Sequence, residues 1–206
     1  MVAETISNML MLILGLAIFI VPHLVPAMPA LRSSLRDRMG PSAYLLSFSI
    51  VSLVSLILIA KGYGDARTLG RANPQLWTPP AFTRHITLAL MLPAFILLAA
   101  AYIPSRIRTA VKHPFLAAVK IWALAHLLVR GDLASLLLFG SLLAYAVFDR
   151  ISVKKRNALG PLGAVQGSIK GDIAAVVVGS LAYVAMLVVG HSALIGVPVL
   201  RLSFAP

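Results

Sequence analysis

The sequence has 206 residues, 60% hydrophobic and 12% charged, with a mean hydropathy of +0.95. A water-soluble chain carries about a quarter charged residues, so a soluble fold is excluded, and the apolar content matches six membrane-spanning helices of roughly 20 residues each. Eighteen Lys and Arg against six Asp and Glu give a formal charge of +12, which in a membrane protein belongs to cationic loops beside anionic lipid and excludes nucleic acid as the expected partner.

The first apolar run, from about Ile6 to Ala27, is interrupted only by His23 and prolines and is long enough to cross a bilayer. Glu4 precedes it without Lys or Arg, so it is expected to stay as a span and not to be cleaved as a signal peptide. The second run, Ala43 to Ala60, follows Arg32, Arg36 and Arg38 and carries serines at 47, 49, 52 and 55, which can bond carbonyls within or between helices. Lys61 to Arg84, with Asn73-Pro74 and Pro79-Pro80, reads as a long non-helical connection. The third span is Ile86 to Ile103, kinked at Pro93, and a basic loop with Arg106, Arg108 and Lys112 follows.

His113-Pro114 opens the fourth span, which ends near Val129-Arg130-Gly131, and Asp132 is the expected N-cap of the fifth, Leu133 to Phe148. Asp149 to Asp172, rich in basic residues and glycine, reads as an irregular loop. The sixth span, Ile173 to Val189, presents Ala175 and Gly179 as a small-residue face, and Gly190 to Pro206 is a short amphiphilic tail. Alternate loops carry eleven and six basic residues, with Lys120 inside the fourth span; the richer set is expected inside, which places both termini on the outer, periplasmic side. The expected fold is all-α, a single polytopic bundle over residues 1–206 without internal repeats.

Cysteine is absent, so disulfides, iron–sulfur clusters and thiol nucleophiles are excluded, and any metal falls to His, Met, Tyr or carboxylates. All five histidines, His23, His85, His113, His126 and His191, fall within or at the ends of the expected spans. An ionisable group at membrane depth costs free energy unless paired, so each either satisfies a carbonyl or hydroxyl on a neighbouring helix or ligates a metal or haem iron. His113 and His126 stand thirteen residues apart on one helix, roughly 20 Å, and cannot share an iron. His23 and His126 are expected to be offset in depth. Lys120, mid-span, is either a counter-charge for a haem propionate or anionic lipid, a proton carrier, or paired within the bundle. Trp77, Tyr44, Tyr63 and Tyr102 read as interface anchors. No carboxylate pair, nucleophile–base constellation or phosphate-cradling glycine loop is present in the sequence.

Five stretches carry a family resemblance: Pro22-His23-Leu24-Val25-Pro26-Ala27, Leu76-Trp77-Thr78-Pro79-Pro80, His113-Pro114-Phe115, Trp122-Ala123-Leu124-Ala125-His126-Leu127-Leu128 and Gly131-Asp132-Leu133-Ala134-Ser135-Leu136-Leu137-Leu138-Phe139-Gly140. Through them the chain resembles the NnrU family of bacterial membrane proteins over nearly its whole length. The resemblance implies a multi-pass protein of the bacterial inner membrane, linked to nitrite and nitric oxide metabolism in denitrification. That family is in turn similar to zeta-carotene isomerase, a haem b membrane enzyme whose proposed iron ligands correspond to His23 and His126. The isomerase has a cysteine, implicated in ligand exchange, where this chain has Ala123.

The leading expectation is therefore a six-helix haem b protein of the NnrU type. His126 is the first iron ligand and His23 the second, with His85 or His191 replacing His23 if the depth offset separates the pair. Lys120 and His113 complete the candidate haem-binding set. Beyond the lipid bilayer and haem, the expected partner is a nitrogen-oxide substrate or a hydrophobic polyene. Two rivals accompany this reading: a carotenoid cis-trans isomerase, and a non-catalytic assembly partner of a reductase.

Overall fold

The structure, a computed structural model, describes residues 2–67, 73–160 and 162–200, with side chains from residue 9 onward. Arg71, Pro161, Arg201 and the tail beyond residue 200 lie outside the described residues, as do the side chains of Glu4 and Ile6. The regular elements of the described chain are all helices; the only extended pairings among the described residues are two isolated bridges, Gln75 with Asp132 and Ser105 with Ser168.

The helices are α1 (Val2–Leu24), α2 (Pro29–Met39), α3 (Pro41–Ala66), α4 (Thr83–Ala100), α5 (Arg106–Val111), α6 (Pro114–Leu127), α7 (Leu133–Ser135), α8 (Ser141–Lys155), α9 (Ile169–Ala185) and α10 (His191–Ile195). A 3-10 turn, Val25–Ala27, follows α1, and π-helical turns join α7 to α8 (Leu136–Gly140) and α9 to α10 (Met186–Gly190). Prolines open α2, α3 and α6, where the missing N–H is one that a first turn leaves unused. Ser105, Asp132 and Ser168 cap α5, α7 and α9 by accepting from the backbone N–H three residues on.

Among the described residues five helical segments are long and apolar enough to cross a membrane: Met9–Ala27, Pro41–Ala66, Thr83–Ala100, Leu133–Lys155 and Ile169–Ile195. The chain is a multi-pass membrane protein. The fourth expected span is the exception. α6 has 14 residues, about 21 Å of rise against a hydrocarbon core of about 30 Å, because the chain leaves the helix after Leu127 to reach the turn before Asp132.

Several other segments differ from expectation: Arg106 and Arg108 lie on α5, α8 runs on to Lys155 and α9 begins at Ile169 within the expected loop, and α10 follows Gly190. α3 runs on to Ala66 through what reads as loop: Gly62 packs against α1, and Lys61 and Asp65 form an i,i+4 ion pair at 3.2 Å. Arg32, Arg36 and Arg38 lie on a helix, α2, and not in a loop.

The chain forms two compact units. One comprises residues 1–81 and 126–157, the other 82–125 and 158–206. In the first, α1 and α3 pack antiparallel, with Gly62 against Leu12 and Gly15 against Ile59. A Cβ on Gly62 would lie 2.5 Å from the Leu12 nitrogen, so only glycine allows this approach. In the second unit α4 packs on α9, and a Cβ on Gly179 would lie 2.5 Å from the Ile96 Cα, so the small face of Ala175 and Gly179 is used as expected. There the buried Arg108 donates to the carbonyls of Val165 (2.9 Å) and Gly163, holding the connection that leads to α9.

Candidate functional site

His23 sits in the last turn of α1 and is half-buried. Its ring stacks on Phe19 (centroids 4.0 Å apart, 24° between planes), meets Phe48 of α3 at 4.8 Å and turns edge-on to Tyr145 of α8 at 6.0 Å. Its Nδ1 lies 2.6 Å from the Phe19 carbonyl oxygen. A carbonyl can only accept, so Nδ1 carries the hydrogen and donates it, and Nε2 is the nitrogen open to a ligand. That is the tautomer of a metal-ligating histidine, whose other nitrogen is held by a backbone carbonyl. The Tyr145 hydroxyl donates to the His23 carbonyl at 3.4 Å, closing a small aromatic cage around the ring.

His126 closes α6 and stacks on Phe139, in the first π turn, at 4.6 Å and 25°. Phe139 in turn meets the Tyr63 ring edge-on at 5.9 Å. Tyr63 and Tyr44, expected at the interface, are both buried; Trp77 and Tyr102 are exposed. The Tyr63 hydroxyl bonds Ser135 Oγ (2.9 Å), Ser135 Oγ donates to Asp132 Oδ2 (2.8 Å), and Asn73 Nδ2 donates to Asp132 Oδ1 (2.9 Å). Asn73 Oδ1 accepts from the Ala134 N–H at 2.8 Å. Burial works against the charge of Asp132, but the hydrogen bonds from Asn73 and from the Ser135 hydroxyl and N–H outweigh it and hold the carboxyl below its ordinary range. Leu76 and Trp77 donate to the Gly131 carbonyl, and a Cβ on Gly131 would run into the Trp77 carbonyl oxygen. The connection at 73–77 is thereby stitched to the turn at 131–135.

His23 and His126 both belong to the first unit. They pack on Tyr145 and Phe139, side chains six residues apart on the segment from α7 to α8, an axial separation of about 9 Å. His85, on the first turn of α4, is exposed; His113 is half-buried just before α6; and His191 places Nδ1 2.6 Å from the Val197 carbonyl. All three belong to the second unit. Lys120 is half-buried midway along α6, with no hydrogen bond or ion pair among the described residues, and Ala123 one turn on is fully buried. Among the described residues no group of three or more His, Asp or Glu is placed to hold a metal ion, so a bare-ion site of that kind is absent there, whereas haem iron takes its remaining ligands from the porphyrin and needs one or two imidazoles.

The family model described as NnrU protein matches residues 11–199. The chain belongs to the NnrU family. That match takes in every helix of the NnrU fold described above except the first turns of α1. No curated protein and no solved structure matches the chain.

Of the residues around the two imidazoles, the sequence marked Tyr63 as an interface anchor and Asp132 as an N-cap, and Phe139 only within a family stretch. Phe19 stands four residues before His23, the spacing that puts two rings on one helix face, so that contact was legible. Phe48, Tyr145, Phe139 and the links from Tyr63 to Ser135 and from Asn73 to Asp132 arise from packing between segments far apart in sequence, whereas the Asp132–Ser135 link is the local N-cap that the sequence marks.

Proposed function

We propose that this NnrU-family protein binds haem b, which His126 and His23 would hold, and serves nitrogen-oxide metabolism from the bacterial inner membrane. The observation that carries the reading is the seat of His23: Nδ1 lies 2.6 Å from the Phe19 carbonyl oxygen and the ring sits among Phe19, Phe48 and Tyr145, with Nε2 as the nitrogen open to a ligand. The donor set suits the group, because neutral imidazole is an axial ligand of haem iron and the chain offers no thiolate. His23 and His126 belong to one unit, but Phe48 beside His23 and Tyr63 beside Phe139 stand fifteen residues apart on α3, about 22 Å along its axis, so the expected depth offset stands and each imidazole is tested singly.

When bound, haem b supplies a one-electron couple at membrane depth. The rings of Phe19, Phe48, Tyr145 and Phe139 exclude water and restrict the rotation of the imidazoles. The proposal keeps six crossings with both termini outside, the fourth in chain order being α6, which can cross only where the bilayer thins or with help from its flanking turns. The link to nitrogen oxides comes from the family.

The test is growth with nitrite as electron acceptor in a denitrifying strain lacking this chain. Wild type should restore growth, while His23→Ala and His126→Ala should not. Restoration by both variants would end the haem reading and favour an assembly partner. Accumulation of cis-carotene in the deleted strain would favour the isomerase instead.

A further inference from the structure

The α2 helix stands in a place the membrane dictates. The first crossing ends at Ala27 and the second begins at Pro41, and α1 and α3 run antiparallel, so both ends emerge at the same surface. The eleven residues of α2 between them, about 16 Å long, lie at that surface. The helix is held there by a 3-10 turn at Val25–Ala27 on one side and by Gly40 on the other, whose φ of +80° turns the chain into α3.

Its residues are sorted for an interface. Leu31, Leu35 and Met39 recur every four positions and form one stripe. Arg32 and Arg36 flank that stripe on one side and Arg38 on the other, while Ser33 and Asp37 face the opposite way. Leu31 and Met39 are exposed, as is Met28 just before the helix, and so are all three arginines. In water, exposed apolar side chains along a helix have nothing to gain. In the headgroup region the stripe reaches the acyl boundary, and the flanking arginines reach phosphate, which their planar forks bind well.

We infer that α2 is an in-plane interfacial helix that binds anionic phospholipid, with Leu31, Leu35 and Met39 in the acyl boundary and Arg32, Arg36 and Arg38 on the headgroup phosphates. Charge complementarity selects an anionic lipid over a zwitterionic one. This holds independently of haem.

The absence of cysteine makes the test direct. The full chain carrying Leu31→Cys or Asp37→Cys is spin-labelled and reconstituted in phosphatidylcholine vesicles with and without phosphatidylglycerol. The Leu31→Cys label should collide with oxygen and the Asp37→Cys label with an aqueous nickel chelate. Spin-labelled phosphatidylglycerol should associate in preference to phosphatidylcholine. That preference should fall on the order of fivefold in Arg32→Gln/Arg36→Gln at low salt and survive in Arg32→Lys/Arg36→Lys. An undiminished preference in the Gln variant, or an Asp37→Cys label deeper than the Leu31→Cys label, would overturn the inference.

Discussion

Tyr63, near the end of α3, and Ser135, at the end of α7, share a buried hydrogen bond of 2.9 Å across 72 positions of sequence. Ser135 also donates to Asp132, so removing the tyrosine hydroxyl leaves the serine bonded. Tyr63→Phe should therefore cost only the net value of one buried bond, about 0.5–1.5 kcal/mol, read as a lowered midpoint of thermal unfolding in detergent. Ser135→Ala should cost more, because it breaks the links to both Tyr63 and Asp132.

Asp132 adds a pH dependence. Its carboxyl titrates lower in the folded chain than in the unfolded one, so its contribution is complete above the unfolded value of about 3.9 and is lost as pH falls through the folded value. Thermal midpoints of wild type and Asp132→Asn should differ most at neutral pH and converge below about pH 4. A gap that widens on acidification would contradict the network.

Gly62 and Gly64 lie two residues apart on α3 in opposite circumstances. The Gly62 Cα faces the α1 backbone, whereas nothing lies within 4 Å of a Cβ on Gly64. Gly62→Ala should destabilise by about 1–3 kcal/mol through overpacking. Gly64→Ala should be neutral or stabilising by up to about 1 kcal/mol through helix propensity. The pair is compared by thermal unfolding of the two single variants.

The expected orientation is checked by labelling. Ser33 on α2 and Gln75 in the connection after α3 are both exposed. With both termini outside, a membrane-impermeant maleimide added to intact spheroplasts should react with Gln75→Cys and not with Ser33→Cys. The reverse pattern would invert the topology.

Much of this fold was legible because its signals are local. Apolar runs located the five long spans, Pro114 opened α6, and Asp132 capped the next helix, since each depends on neighbours within one turn. The errors have more than one cause, and the first is tertiary contact overriding local composition. Lys61-Gly62-Tyr63-Gly64 reads as loop, yet it stays helical because Gly62 seats Leu12 and Tyr63 reaches Ser135. Arg32 to Arg38 reads as a basic loop because its polar residues are dense, although their spacing is that of a surface helix. At the candidate site His23 and His126 were legible as histidines in apolar runs, but most of their surroundings were not. Phe139 lies in a π turn that no propensity marks, and Asn73 finds Asp132 across 59 positions.

The absorption spectrum of the detergent-purified protein, expressed with haem supplied, tests the central claim most directly. The account predicts a Soret band, a pyridine extract that identifies haem b, and loss or displacement of the band in His23→Ala and His126→Ala with little change in His85→Ala. A colourless wild-type protein, or an unaltered band in both His23→Ala and His126→Ala, would contradict it.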